Sequence, residues 1–183
     1  KLKEGFVFGS VSCFKPQKNL IDLLEAFKIV FDKVSNKKNI YLQIIGDGAL
    51  RPQIEEWILK NSLVDNIHLL GWQKNVASIM KNWDCYAMSS LWEGLPCAIV
   101  EARLLKLPVV AYSVGGISEV VHDDENGFLI KPRDIKALAY RMEEIATDRD
   151  LQCKLSNFSE DLTSFSNSHM VQEHLDLYKQ LIT

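Results

Sequence analysis

Short, nearly continuous apolar runs recur along this chain, and each is followed by a polar or glycine-rich segment and then by helical spacing. The runs cover 6–11, 40–45, 67–70, 85–88, 108–112 and 128–130. Between the first two, Leu20, Leu24, Phe27, Phe31 and Val34 fall on one helical stripe. Further helices are expected over 51–60, with Pro52 in its first turn, over 76–81, and from the 89–96 loop to Leu105. Gly115-Gly116 opens a short helical segment, and 123–127 is a turn in which Gly127 suits a positive φ. From Asp134 to Ile182 the chain reads as helix, with breaks near 148–150 and 164–168. Strands without polar alternation must be covered on both faces, and strands that alternate with helices pair in parallel. The expected fold is therefore α/β, a Rossmann-like doubly wound parallel sheet of about six strands with helices on both faces and a helical C-terminus. In such sheets ligands bind beyond the carboxyl ends of the strands. The polar segments 12–18, 46–50, 71–75, 89–96 and 113–116 all follow strands, so they should meet at one edge.

With 183 residues, the chain is long enough for one domain with a sizeable core. Its net charge of −3 provides no broad basic field for nucleic acid. No apolar run approaches the roughly 18 residues that span a membrane. The opening Lys1-Leu2-Lys3-Glu4 reads as a start inside a longer protein, near a domain boundary. Cys13, Cys85, Cys97 and Cys153 form no C-x-x-C pair. They read as free buried thiols, with Cys85 and Cys97 in apolar surroundings. His68, His122, His169 and His174 are scattered, read as structural or surface residues, and no metal site is expected. Gly46-x-Gly48-x-x-Arg51 lacks the third glycine and the acidic partner of a dinucleotide fingerprint.

The chemistry concentrates in Glu93-Gly94-Leu95-Pro96-Cys97-Ala98-Ile99-Val100-Glu101. Glu93 stands in a loop at a strand's end, and Glu101 stands in the helix that follows. Gly94 permits close approach of a ligand to the backbone, and Pro96 fits the first helical turn. The free N–H groups at that helix start suit an anion such as phosphate. A carboxylate that accepts two hydroxyl hydrogen bonds can hold a ribose or a sugar.

This segment resembles the E-x₇-E motif of retaining GT-B glycosyltransferases, especially family four. The likeness extends in order through Gln17-Lys18-Asn19, the 44–48 turn, Leu69-Leu70-Gly71, Ser89-Ser90, the 107–111 strand, the 114–121 segment and the 126–130 strand. It implies a single nucleotide-sugar-binding domain over 1–183, the C-terminal half of the GT-B fold. Residues 1–163 would form the Rossmann-like core, and the helix in 164–183 would cross to a missing N-terminal acceptor domain. By the same resemblance, Glu101 would hold the donor ribose and Glu93 would face the transferred sugar. The amides of Gly94 and Leu95 would hold the sugar or its diphosphate, and Lys18 would neutralise that diphosphate as it leaves. Gly71, Trp72 and Gln73 would lie beside the base, although Trp72 reads equally as packing. The resemblance implies a UDP-sugar donor, no cofactor and no metal. It also implies a cytoplasmic enzyme, peripheral on the membrane in its full length, that builds bacterial polysaccharide or lipopolysaccharide. A nucleotide-sugar epimerase and a non-catalytic nucleotide-binding domain are the alternatives.

Two positions depart from the family pattern. Cys13 stands where many relatives carry an arginine, and a thiol cannot replace a guanidinium fork, which leaves Lys15 as a possible diphosphate contact. Lys106 stands where relatives usually end the helix with glycine, so a left-handed conformation there should cost up to about 1 kcal/mol.

Overall fold

The computed structural model describes residues 5–34, 39–159 and 161–182; the opening residues that suggested a domain boundary lie outside them. Six strands form one parallel sheet: β1 (Phe6–Val11), β2 (Ile40–Ile45), β3 (Ile67–Gly71), β4 (Cys85–Met88), β5 (Val109–Tyr112) and β6 (Gly127–Ile130). Their spatial order is β3-β2-β1-β4-β5-β6. Every neighbouring pair is parallel, from Leu42 opposite Ile67 at one edge to Tyr112 opposite Ile130 at the other. The order reverses between β1 and β4. This is the topological switch point, where the connections leave the sheet in opposite directions and open a crevice.

The helices are α1 (Leu20–Val34), α2 (Arg51–Lys60), α3 (Val76–Met80), α4 (Cys97–Leu104), α5 (Ile135–Thr147), α6 (Arg149–Asn157) and α7 (Asn167–Ile182). Successive strand residues enter opposite faces. Phe6, Phe8, Leu42 and Ile44 pack with Phe27 of α1, Ile54 of α2 and Met142 of α5. Val7, Ile45, Tyr86 and Met88 pack with Met80 of α3 and Ile99 and Ala102 of α4. The near-continuous apolar runs follow from this, since both faces of the central strands are covered, while the edge strand β3 leaves His68 exposed.

Some sequence expectations needed correction. Gly127 does not take a positive φ; Asp124 does, at 62°. Glycine is needed at 127 because a Cβ there would stand 2.2 Å from the Val109 carbonyl oxygen. Pro96 is the residue that caps α4, one place before its first turn. Of the cysteines only Cys85 is buried, and burial pushes its thiol up; Cys13 is half-buried, and Cys97 and Cys153 are exposed. On α7, Met170, Leu175, Tyr178 and Leu181 share an apolar stripe, and each of them is exposed. All four histidines are exposed.

Lys106 does adopt the left-handed conformation, with φ 58°. It closes α4 in a Schellman motif: Lys106 N–H donates to Arg103 and Leu107 N–H donates to Ala102. A lysine in that place costs about 1 kcal/mol relative to glycine.

Candidate functional site

The loops that leave β1 and β4 face each other across the switch point, and a ladder of hydrogen bonds joins them. Leu91 N–H donates to the Gln17 carbonyl at 2.9 Å, and the Gln17 side chain donates to the Trp92 carbonyl at 2.8 Å. Ser89 Oγ donates to the Asn19 carbonyl at 2.9 Å. At the top of the ladder Lys18 Nζ lies 2.5 Å from Glu93 Oε1. The Glu93 side chain is only 8% exposed, whereas that of Lys18 keeps 21%. A carboxylate this sheltered needs a cation, and Lys18 supplies it. The two residues are 75 positions apart in sequence.

The Glu93 loop is fastened from behind. Gly115 has φ 54°, and a Cβ there would stand 1.9 Å from the Glu93 carbonyl oxygen. Gly116 N–H donates to the Gly94 carbonyl at 3.1 Å. Gly94 and Leu95 are themselves exposed. Among the described residues, no acceptor takes their N–H groups. These donors, with the start of α4 behind them, form a small positive rim suited to an anion.

Beside this rim runs a cleft of about 530 Å³. Val11 contributes from the end of β1, Cys97, Ala98 and Glu101 from α4, and Lys74, Asn75 and Val76 from the segment after β3. Glu101, the fifth residue of α4, is exposed and lines this cleft. Below lies Tyr86, whose hydroxyl donates to the Val11 carbonyl at 3.4 Å. Burial pushes the Tyr86 phenol up, and the carboxylates of Glu93 and Glu101 push it the same way, so it stays neutral under the cleft.

The remaining sequence candidates are nearby. Gly71 ends β3 with φ 66° and accepts a hydrogen bond from Gly46 N–H at 2.8 Å. Trp72 is 69% exposed, so it is not core packing. The Gln73 side chain donates to the Leu70 carbonyl at 2.5 Å. The wall of the cleft is made by the next residues, Lys74 to Val76, which sequence reasoning did not single out. Lys15 is exposed in the first loop and forms no ion pair among the described residues. The Gly46-Asp47-Gly48 turn supports that loop: Phe14 N–H donates to the Asp47 carbonyl at 2.9 Å. Arg51 Nε holds Asp47 Oδ1 at 2.9 Å, and with the Gly48 N–H it keeps that carboxyl below its ordinary range. No cluster of candidate metal ligands occurs among the described residues, and no described helix is long and apolar enough to cross a membrane.

A doubly wound parallel sheet, with paired glutamates and an anion-suited rim at its switch point, defines the class: a Rossmann-like half of a GT-B glycosyltransferase fold. The chain belongs to the glycosyl transferases group 1, whose family model it matches over residues 1–161. Among curated relatives it is similar to the Escherichia coli UDP-Gal:alpha-D-GlcNAc-diphosphoundecaprenol alpha-1,3-galactosyltransferase, with 29% identity over 98% of this chain and 47% of the relative. Its fold resembles that of S. aureus TarM, solved with fondaparinux, alpha-GlcNAc-glycerol and UDP. There the TM-score is 0.87 at 22% identity, over 95% of this chain and 35% of TarM. It also resembles the solved C-terminal domain of the group 1 family protein LpcC from Francisella tularensis. That match has a TM-score of 0.75 at 21% identity, over 84% of this chain and 81% of that one. The chain spans about half the length of the curated relatives it matches.

Proposed function

We propose that this chain is the donor-binding half of a retaining glycosyltransferase, which moves a sugar from a UDP-sugar to an acceptor in bacterial polysaccharide or lipopolysaccharide synthesis. The observation that carries the reading is the Lys18–Glu93 pair across the switch point, beside a cleft lined by Glu101. On this reading the nucleoside lies in the cleft with its ribose on Glu101. The diphosphate meets the Gly94 and Leu95 amides and the ammonium of Lys18. Glu93 fixes that ammonium and presents its other oxygen toward the sugar. The work of this half is electrostatic: as the glycosidic bond to phosphate breaks, negative charge grows on the departing diphosphate, and Lys18 and the amides are already aimed at it. The departing phosphate then takes the acceptor proton on the face it leaves, which retains the anomeric configuration. The acceptor would be held by another part of the protein, to which α7 crosses, at the cytoplasmic face of the membrane. The relative named for UDP-Gal and the neighbour solved with UDP support uridine as the base.

Calorimetric titration with UDP, GDP and ADP tests this. UDP should bind, and Lys18→Ala and Glu101→Ala should each weaken it by about 1–3 kcal/mol, the scale of a lost charged hydrogen bond. Folded protein that ignores all three nucleotides, or UDP binding indifferent to both substitutions, would remove the reading.

A further inference from the structure

Behind Lys18 lies a polar cluster that the reading above does not use, buried at Asp22 and Tyr112 and open to solvent at Arg133, whose side chain is 61% exposed. Asp22, in the first turn of α1, is only 5% exposed. Its Oδ2 accepts a hydrogen bond from the Tyr112 hydroxyl, at the end of β5, at 2.9 Å. Its Oδ1 faces Arg133 Nη1 at 3.3 Å. The same Nη1 donates to Asn19 Oδ1 at 2.9 Å. Asn19 is the residue after Lys18 and is tied to the β4 loop through Ser89. Both ends of the Arg133–Asn19 bond are strained: Asn19 has φ 45° and Arg133 has φ 70°. A non-glycine residue in that region persists only where its surroundings over-determine it, and such residues gather at functional sites. Here two of them face each other across one hydrogen bond, next to the cation of the site. The charges also match. Without Arg133, the buried Asp22 carboxylate would keep only the neutral Tyr112 hydroxyl as its side-chain partner among the described residues.

We infer that Tyr112, Asp22 and Arg133 form a clasp that fixes Asn19 and thereby holds Lys18 at the place where it meets the donor diphosphate. They are positioning residues, acting through Lys18. The inference rests on the donor-site reading of Lys18, and its test separates the two. In the full-length protein, UDP and UMP would be titrated against Asn19→Gly, Arg133→Gly, Lys18→Ala and the two double variants that include Lys18→Ala. Glycine accepts the left-handed backbone at both positions, and Asn19→Gly leaves the Asp22–Arg133 pair in place, so a folded variant is available. Asn19→Gly and Arg133→Gly should each weaken UDP about five- to tenfold, the scale of one ordinary hydrogen bond, and barely change UMP. Added to Lys18→Ala they should cost nothing more, because the path through Lys18 is already cut. Arg133→Lys, which keeps a cation near Asp22, should restore part of the loss. Losses that multiply in the double variants would overturn the clasp, since the residues would then act independently of Lys18. So would UDP affinity that Lys18→Ala lowers and the clasp variants do not. If Lys18→Ala itself leaves UDP affinity unchanged, the donor-site reading fails and the clasp falls with it.

Discussion

Gly94 and Gly115 lie in contact through their loops, yet the protein needs glycine at them for different reasons. A Cβ at Gly115 would collide with the Glu93 carbonyl, on a backbone at φ 54°. A Cβ at Gly94 would meet nothing within 4 Å, and its φ is not in the left-handed region. The folded chain therefore demands a glycine at 115 and not at 94. The open space at Gly94 lies beside the unpaired amides, where the proposed diphosphate would sit. Gly94→Ala is accordingly expected to shift the melting temperature by no more than about 2 °C, as for an exposed substitution. It should also weaken UDP about tenfold, because the methyl group occupies the ligand's space. Gly115→Ala should instead lower the melting temperature by about 4 °C or more, through backbone strain and the displaced Glu93 loop. Thermal denaturation and titration of both variants check this. Unchanged UDP affinity in Gly94→Ala would mean that the ligand does not approach that amide.

Helix α4 shows how one element serves core and site together. Ile99 and Ala102 face the sheet, while Cys97, Ala98 and Glu101 face the cleft. This division supplies a reporter. Cys97 and Cys153 are both exposed, and Cys85 is buried with its thiol pushed up. A thiol reagent followed by peptide mapping should therefore mark Cys97 and Cys153 and spare Cys85. Saturating UDP should protect Cys97 alone, as the only one of the two that lines the cleft; equal labelling with and without UDP would place the nucleotide elsewhere. The elements themselves were legible in the sequence because each signal was local. Apolar runs such as 6–11 and 40–45 have no polar alternation, and the Leu20 to Val34 stripe has helical spacing. The Glu93–Glu101 spacing was readable for the same reason, since one loop and one helix carry it. Contacts between distant segments were not legible. Asp22 reads as an ordinary charge in the first turn of a helix, and nothing local ties it to Tyr112, 90 residues on, or to Arg133. Arg103 likewise reads as a surface charge, yet it is buried and donates to the carbonyls of Leu107, Asn126 and Leu155. The exposure of Cys97 depends on which face of α4 the sheet takes, and the apolar residues around it in sequence suggested the wrong one.

The chain as a whole has a sheet whose central strands are covered on both faces and a functional edge open to solvent on one side. Its last helix carries Met170, Leu175, Tyr178 and Leu181, all exposed, and its neighbours are chiefly the turn Thr163–Phe165. So many exposed apolar residues on one helix suit a surface that another body covers. The curated relatives are about twice as long as this chain. On the proposed reading, the rest of the protein packs on α7 and closes the donor edge, excluding water from the diphosphate and bringing the acceptor. Charged substitutions there separate the two settings. Leu175→Asp with Leu181→Asp should leave the melting temperature of the isolated chain within about 2 °C, because these side chains contribute nothing to its core. In the full-length protein the same pair should lower both thermal stability and sugar transfer, because a carboxylate would be buried without a partner at a domain interface. The isolated chain should bind UDP weakly and transfer little or no sugar, since an acceptor and its proton have no defined place on this half. Two results would count against this account: robust transfer by the isolated chain, or a full-length protein indifferent to both charges. The first would mean that the site is complete on one domain, the second that α7 does not dock on the other half.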